Sequence, residues 1–228
     1  MPEPLALSAS GLRLAAPDGR TILRDASLEL PAGARAWIEG PPGSGKRALL
    51  KVLAGLLAPQ AGEVRLGGVR LWPGDGAGQL RGRPRLGFAF AQGGLLSNLS
   101  LRENLALPLR FAGRAPRQVE DDLAAALARY GLADQADLRP HALGPRSRRL
   151  IQWARLDLLD PEVIFLSEPF ADLDGPALEL AIEALARWAG DPSRLLVAAG
   201  DPAQASRLPG ARRLRLEAGT LHPLGSAP

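Results

Sequence analysis

From Lys46 onward the apolar residues Leu49, Leu50, Val52, Leu53, Leu56 and Leu57 fall at helical spacing. That predicts a helix reaching Leu57, with Pro59 just beyond it. Before it the apolar positions alternate instead. Leu5 to Leu14 and Thr21 to Leu30 read as extended stretches, separated by the turn Pro17-Asp18-Gly19-Arg20 and closed by Pro31-Ala32-Gly33. Ala34 to Glu39 suits a short strand. Val64 to Leu71 reads as a hairpin about Gly67-Gly68. Pro73 to Pro84, rich in Gly and Arg, reads as a loop, and Leu86 to Phe90 as a short apolar strand.

Gln92 to Asn98 is a loop by composition, and Ser100 with Glu103 predicts a capping box opening a helix. Pro116 precedes a helix from Arg117 to Tyr130 that Gly131 stops. Pro140 to Ser147 reads as a loop, Arg148 to Leu159 as a helix ended by Asp160-Pro161, and Val163 to Leu166 as a buried strand. Asp174 or Gly175 caps a helix from Pro176 to Trp188. Leu195 to Ala199 is the next strand, and Ala211 to Leu216 with Thr220 to Leu224 forms a closing hairpin. Strands alternating with helices indicate an α/β domain with a largely parallel sheet. Residues 1–228 read as one domain in which about 95–160 is an inserted helical subdomain.

Composition narrows the chemistry. Without cysteine, disulfides, thiolate metal sites and cysteine nucleophiles are excluded, and with only His141 and His222 a histidine metal site or triad is disfavoured. The net charge of +4 is modest for 228 residues, and aromatics are 4%, so neither a charged groove nor a base-stacking platform points to nucleic acid. Met1-Pro2-Glu3-Pro4 lacks the features of a signal peptide, and no apolar run approaches the roughly 18–20 residues of a membrane span. The expectation is a soluble chain.

The candidate chemistry sits at Gly40-Pro41-Pro42-Gly43-Ser44-Gly45-Lys46-Arg47. A phosphate-binding loop is G-x-x-x-x-G-K followed by Ser or Thr, between a strand and a helix. Its backbone N–H groups close around phosphate oxygens and its lysine reaches the β- and γ-phosphates. Here the strand, the loop and the helix are in order, and Lys46 is one of only two lysines, the other being Lys51. The competing reading is an ordinary Gly/Pro turn before a helix. The last position holds Arg47 instead of a hydroxyl, and a guanidinium has no lone pair for a metal.

Further segments agree in order and spacing with one family. Ile22-Leu23-Arg24-Asp25-Ala26-Ser27-Leu28, Leu99-Ser100-Leu101-Arg102-Glu103-Asn104-Leu105, Asp160-Pro161 through Glu168-Pro169-Phe170, and Ala171-Asp172-Leu173-Asp174 resemble the lead-in strand, the segment after the Q-loop, the Walker B strand and the D-loop of ATP-binding-cassette transporter ATPases. The resemblance spans roughly residues 5–224. It implies a P-loop NTPase core of the ABC ATPase type, with an N-terminal antiparallel β subdomain and an inserted helical subdomain. It also implies ATP as ligand, held by Gly40, Pro41, Gly43, Ser44, Gly45, Lys46 and Arg47 with Gln92, and Glu168 as the candidate catalytic base.

The letters that touch ATP or Mg²⁺ in the family depart from its pattern. Arg47 replaces the metal-binding hydroxyl and Ser167 the Walker B aspartate, which stands against a Mg²⁺ shell. The Q-loop glutamine position is Ala91, with Gln92 one place late. The signature loop reads Leu143-Gly144-Pro145-Arg146-Ser147, in which Pro145 has no N–H. The switch-histidine position is Gly200, and no aromatic lies among Leu14, Ala15, Ala16 and Pro17 to stack on adenine. Arg146, Arg148 and Arg149 form a basic cluster that is either a solvated face or a contact to phosphate or an acidic partner. Trp153 and Trp188 read as core.

Within the family, Gln92 to Leu99 and Glu103 to Arg110 look most like the ATPases of lipid transporters that work with MCE-domain proteins. The resemblance then implies a peripheral subunit at the cytoplasmic face of the inner membrane. Its partners would be an integral-membrane permease, a second ATPase subunit as homodimer or heterodimer, and an MCE-domain lipid-binding protein, with no nucleic acid. Hydrolysis is expected to be weak or lost. The alternative is a non-hydrolysing scaffold or regulatory subunit; a soluble nucleotide switch or DNA-associated protein finds no supporting feature.

Overall fold

The computed structural model describes residues 5–74, 85–92 and 94–226. Most of the loop expected over 73–84, with the Gly-Arg-Pro-Arg run at 82–85 except Arg85, lies outside them, as do Met1–Pro4 and Gly93. Two sheets organise the described chain. β1 (Leu7–Ala15), β2 (Thr21–Leu30), β4 (Ala61–Leu66) and β5 (Val69–Trp72) form an antiparallel sheet in the order β2-β1-β4-β5. The second sheet runs β10-β9-β3-β8-β7-β6, from β3 (Arg35–Glu39), β6 (Leu86–Ala89), β7 (Val163–Ser167), β8 (Leu195–Ala199), β9 (Arg212–Glu217) and β10 (Thr220–Ser226). Its pairings are parallel except for the closing β9–β10 hairpin.

The central strands are mostly apolar because both faces are covered. Alternation still sorts their side chains. Trp37, Ile164, Leu166, Leu196 and Ala198 face a core shared with the helices α2 (Leu101–Phe111), α3 (Pro116–Arg129), α4 (Pro145–Leu159) and α5 (Gly175–Gly190). Ala36, Ile38, Val163, Phe165, Leu195 and Val197 face the opposite core, shared with α1 (Lys46–Leu53) and the antiparallel sheet. β2 buries every second or third residue, as a strand with one wet face does.

Local chemistry sets the boundaries. The Gly67-Gly68 turn has positive φ at both glycines, 52° and 74°, as a two-residue hairpin requires. Ser100 and Glu103 form the expected reciprocal capping box at the start of α2. Two expectations fail. α1 stops at Leu53 instead of Leu57, because Gly55 turns left-handed (φ 70°) and the Leu56 N–H returns to the Lys51 carbonyl at 2.8 Å. Leu56 and Leu57 are therefore exposed. α4 begins at Pro145, three residues before the expected Arg148, after a 3-10 turn over Pro140–Ala142. A proline at the first helical position loses an N–H that has no partner within the helix anyway.

Candidate nucleotide site

β3 delivers the chain to the loop. Its last residue, Glu39, is buried and is held by Arg213 Nη2 at 2.5 Å and Arg215 Nη2 at 3.2 Å from β9, so the strand end is fixed by ion pairs before the loop begins. Two glycines are then obligatory on space as well as conformation. A Cβ on Gly40 (φ 154°) would lie 2.4 Å from the Leu216 carbonyl oxygen, and one on Gly45 (φ 98°) 2.7 Å from Ile22 Cγ2. Lys46 opens α1 and folds back over the loop: its ammonium donates to the carbonyls of Gly40 (2.7 Å) and Pro41 (3.1 Å). Two of its three N–H bonds are so used.

The loop walls a cavity of about 650 Å³. Gly40, Gly43, Ser44, Gly45, Lys46, Arg47 and Glu168 share that wall, with Gly200 at the switch-histidine position. Pro41 contributes only its carbonyl, through Lys46. Gln92 lies elsewhere: with Ala91, Phe88, Phe90, Arg47, Lys51 and Ser167 it lines an adjoining cavity of about 210 Å³. Arg47 is common to both. Glu168 follows β7 in a left-handed conformation (φ 50°), its N–H on the Ala199 carbonyl at 2.7 Å. A non-glycine residue held there carries strain that the surrounding structure must over-determine.

Sequence reading missed Arg20, Asp201 and Pro202, which reach the main cavity from segments distant in the chain. Arg20, a planar guanidinium able to stack on a ring, stands in a wall that lacks an aromatic side chain.

Two positions of this donor set differ from a metal shell. Arg47 offers only N–H donors where a metal needs a lone pair, and Ser167 offers a neutral hydroxyl where the family has a carboxylate. The Ser167 hydroxyl is 3% exposed and finds no hydrogen-bond partner; the Ser44 hydroxyl, in the loop itself, is buried and equally unpartnered.

Gly200 is crowded. A Cβ there would come within 3.1 Å of Trp37 Cζ2 and 3.5 Å of Pro169 Cδ, and Trp37 is fully buried beside Phe170. The indole thus has to give by a few tenths of an ångström before a side chain fits at 200. Gly200→His is expected to cost about 1–3 kcal/mol and to leave turnover unchanged. Adding Trp37→Leu should recover part of that stability. Thermal unfolding of the single and double variants checks it; a fully stable Gly200→His chain would count against the crowding.

The arginine cluster divides. Arg146 and Arg148 are exposed, but Arg149 is buried. Its guanidinium donates to four carbonyls: Ala171 (3.1 Å), Phe90 (2.9 Å), Ser167 (3.4 Å) and Ala91 (2.8 Å). Burial pulls its pKa below the usual guanidinium range, with Asp172 and Glu168 opposing that shift. Six residues further along α4, Arg155 donates to the Gly94 carbonyl at 2.6 Å and the Phe88 carbonyl at 3.4 Å. Two arginines of α4 therefore hold the segment that carries Gln92.

Residues 23–171 match the sequence pattern of the ABC transporter family. The chain is 34% identical over 164 residues to the lipoprotein-releasing system ATP-binding protein LolD of Idiomarina loihiensis, covering 71% of this chain and 72% of that protein. It is also 34% identical over 165 residues to the methionine import ATP-binding protein MetN 2 of Paraburkholderia xenovorans, covering 72% of this chain and 42% of that one. A dimeric post-hydrolysis structure of the ATP-binding cassette MJ0796 with ADP and Pi superposes with a TM-score of 0.84 at 23% identity, covering 96% of this chain and 98% of the other. That likeness fixes the fold as the ABC ATPase core with its antiparallel β subdomain and helical region.

Proposed function

This chain belongs to the ABC transporter family, and we propose that it is a nucleotide-binding subunit whose ATP hydrolysis is weak or lost. The observation that carries the proposal is the pair Arg47 and Ser167 at the two metal-shell positions of an otherwise formed phosphate loop. The loop keeps what binding needs: two glycines that admit the turn and Lys46 poised on the loop carbonyls. Catalysis needs more. A metal that stabilises transferring-phosphoryl charge is worth several kcal/mol, and each 1.4 kcal/mol is about tenfold in rate. Glu168, the candidate base, would have no metal-ordered phosphate to act beside.

As partners we propose a second ATPase subunit and an integral-membrane permease, with the chain peripheral at the cytoplasmic face of the inner membrane. The dimeric MJ0796 cassette supports the pairing, and no described helix is long and apolar enough to cross a membrane. Exposed Leu96 and Leu138 flank the start of α2 and offer an apolar place for a permease helix. For cargo we propose a lipid, most nearly a phospholipid, handled with an MCE-domain protein. Identity alone does not select it, since LolD, MetN 2 and a phosphonates import protein all stand at 34%; the Gln92–Leu99 and Glu103–Arg110 segments carry that choice.

Phosphate release from Mg-ATP by the purified chain tests the reading. Turnover is expected at least about 10²-fold below that of LolD assayed alongside; equal turnover would overturn it. A chain that binds no nucleotide yet co-purifies with a permease would be the docking subunit of the second reading, which the exposed leucines favour.

A further inference from the structure

Arg47 is poorly placed on α1 for a helix without a ligand. Arg47 lies in the first turn, where the helix dipole disfavours a cation, and no acidic residue offsets it there. Lys51 stands four residues on, on the same face, and like charges at that spacing repel. Both line the smaller cavity, and among the described residues no carboxylate does. Into that cavity's wall comes the buried, unpartnered hydroxyl of Ser167. A buried hydroxyl without a partner is costly, and two cations lining the same cavity specify the sign of the missing one.

We propose that the site takes its nucleotide free of metal: Arg47, common to both cavities, and Lys51 of the smaller one supply the two positive charges that a divalent cation brings elsewhere, with the phosphates reaching from the loop into the smaller cavity, and the Ser44 hydroxyl in the loop and the Ser167 hydroxyl in the smaller cavity donate to phosphate oxygens. The inference rests on the nucleotide-binding reading above and adds the ionic form of the ligand. It follows that Mg²⁺ competes with the protein for the phosphates. A guanidinium fits this substitution because it stays charged and presents paired N–H groups to phosphate oxygens. Glu168 and Asp201, the acids of the larger cavity, are opposed there by Arg20, Lys46 and Arg47.

The test is titration of the full-length chain with a ribose-labelled fluorescent ATP, in EDTA and in excess Mg²⁺. The expected result is binding in EDTA at least as tight as with Mg²⁺. Arg47→Ser should weaken EDTA binding by about tenfold or more, with an unfolding midpoint no lower than the parent's, because Arg47 is exposed and its loss relieves the repulsion from Lys51. Arg47→Lys should retain most of the affinity. Arg47→Ser with Ser167→Asp should reverse the preference toward Mg²⁺. Binding that is tenfold weaker in EDTA than in Mg²⁺, or an Arg47→Ser chain that binds normally in EDTA, overturns the inference and leaves nucleotide binding standing. No binding under either condition overturns both.

Discussion

Arg149→Met is expected to destabilise the protein by about 3 kcal/mol, lowering the unfolding midpoint by roughly 6–12 °C for a chain of this size. Two effects oppose each other. Methionine removes a buried charge, and relief of its desolvation is favourable. It also strands the carbonyls of Phe90, Ala91 and Ala171, each within 3.1 Å of the guanidinium, and weakens the longer contact to Ser167. Hydrogen bonds from a charged donor contribute about 1.5–3 kcal/mol each, so the lost bonds win. Arg149→Lys should fall between, since one ammonium cannot reach carbonyls arranged around a planar fork. Amide exchange should then quicken at residues 90–92, where the loop beside Ser167 loses its tie to α4. Urea unfolding and exchange measured together separate the outcomes: an unchanged midpoint, or faster exchange spread evenly over the chain, would refute the clamp.

That arginine marks a limit of sequence reading. Arg146, Arg148 and Arg149 look alike as letters, and a solvated face was one of two readings for all three. The helix rotation sends two outward and one into the junction of β6, β7 and α4, where only non-local carbonyls can satisfy it. Local signals fared better. The Gly67-Gly68 hairpin, the Ser100 capping box and the bounds of β2 were all legible, because each rests on residues adjacent in the chain. α1 was overextended since Leu56 and Leu57 continue the apolar spacing, while Gly55 just before them decides the end. In the site, the phosphate loop was legible as a unit. Its cavity partners Arg20 and Asp201 were not, nor was the indole of Trp37 beside Gly200, because those neighbours are made by sheet order. Gln92 fell in a separate cavity from the loop glycines for the same reason.

The loop after β7 depends on a residue that touches no part of the cavity wall. Trp153 of α4 is fully buried, stacks on Trp188 of α5 at 5.3 Å and on Phe170 at 5.9 Å, and donates its indole N–H to the Pro169 carbonyl at 3.2 Å. Phe170 in turn stacks on Trp37, beneath Gly200. Trp153→Ala is therefore expected to cost about 3–5 kcal/mol from lost burial and the cavity left behind, the larger end because ring pairs and a buried hydrogen bond go with it. Trp153→Phe should cost less, keeping one ring against Trp188 while leaving the Pro169 carbonyl without its donor. Both variants move the loop that places Glu168, so weaker nucleotide binding should accompany the loss of stability. Denaturant titration checks the first effect and fluorescent-nucleotide titration well below the unfolding midpoint checks the second. A Trp153→Ala chain within about 1 kcal/mol of the parent would mean that the α4–α5 junction repacks without it, and the route from Trp153 through Phe170 to the site would be lost with that result.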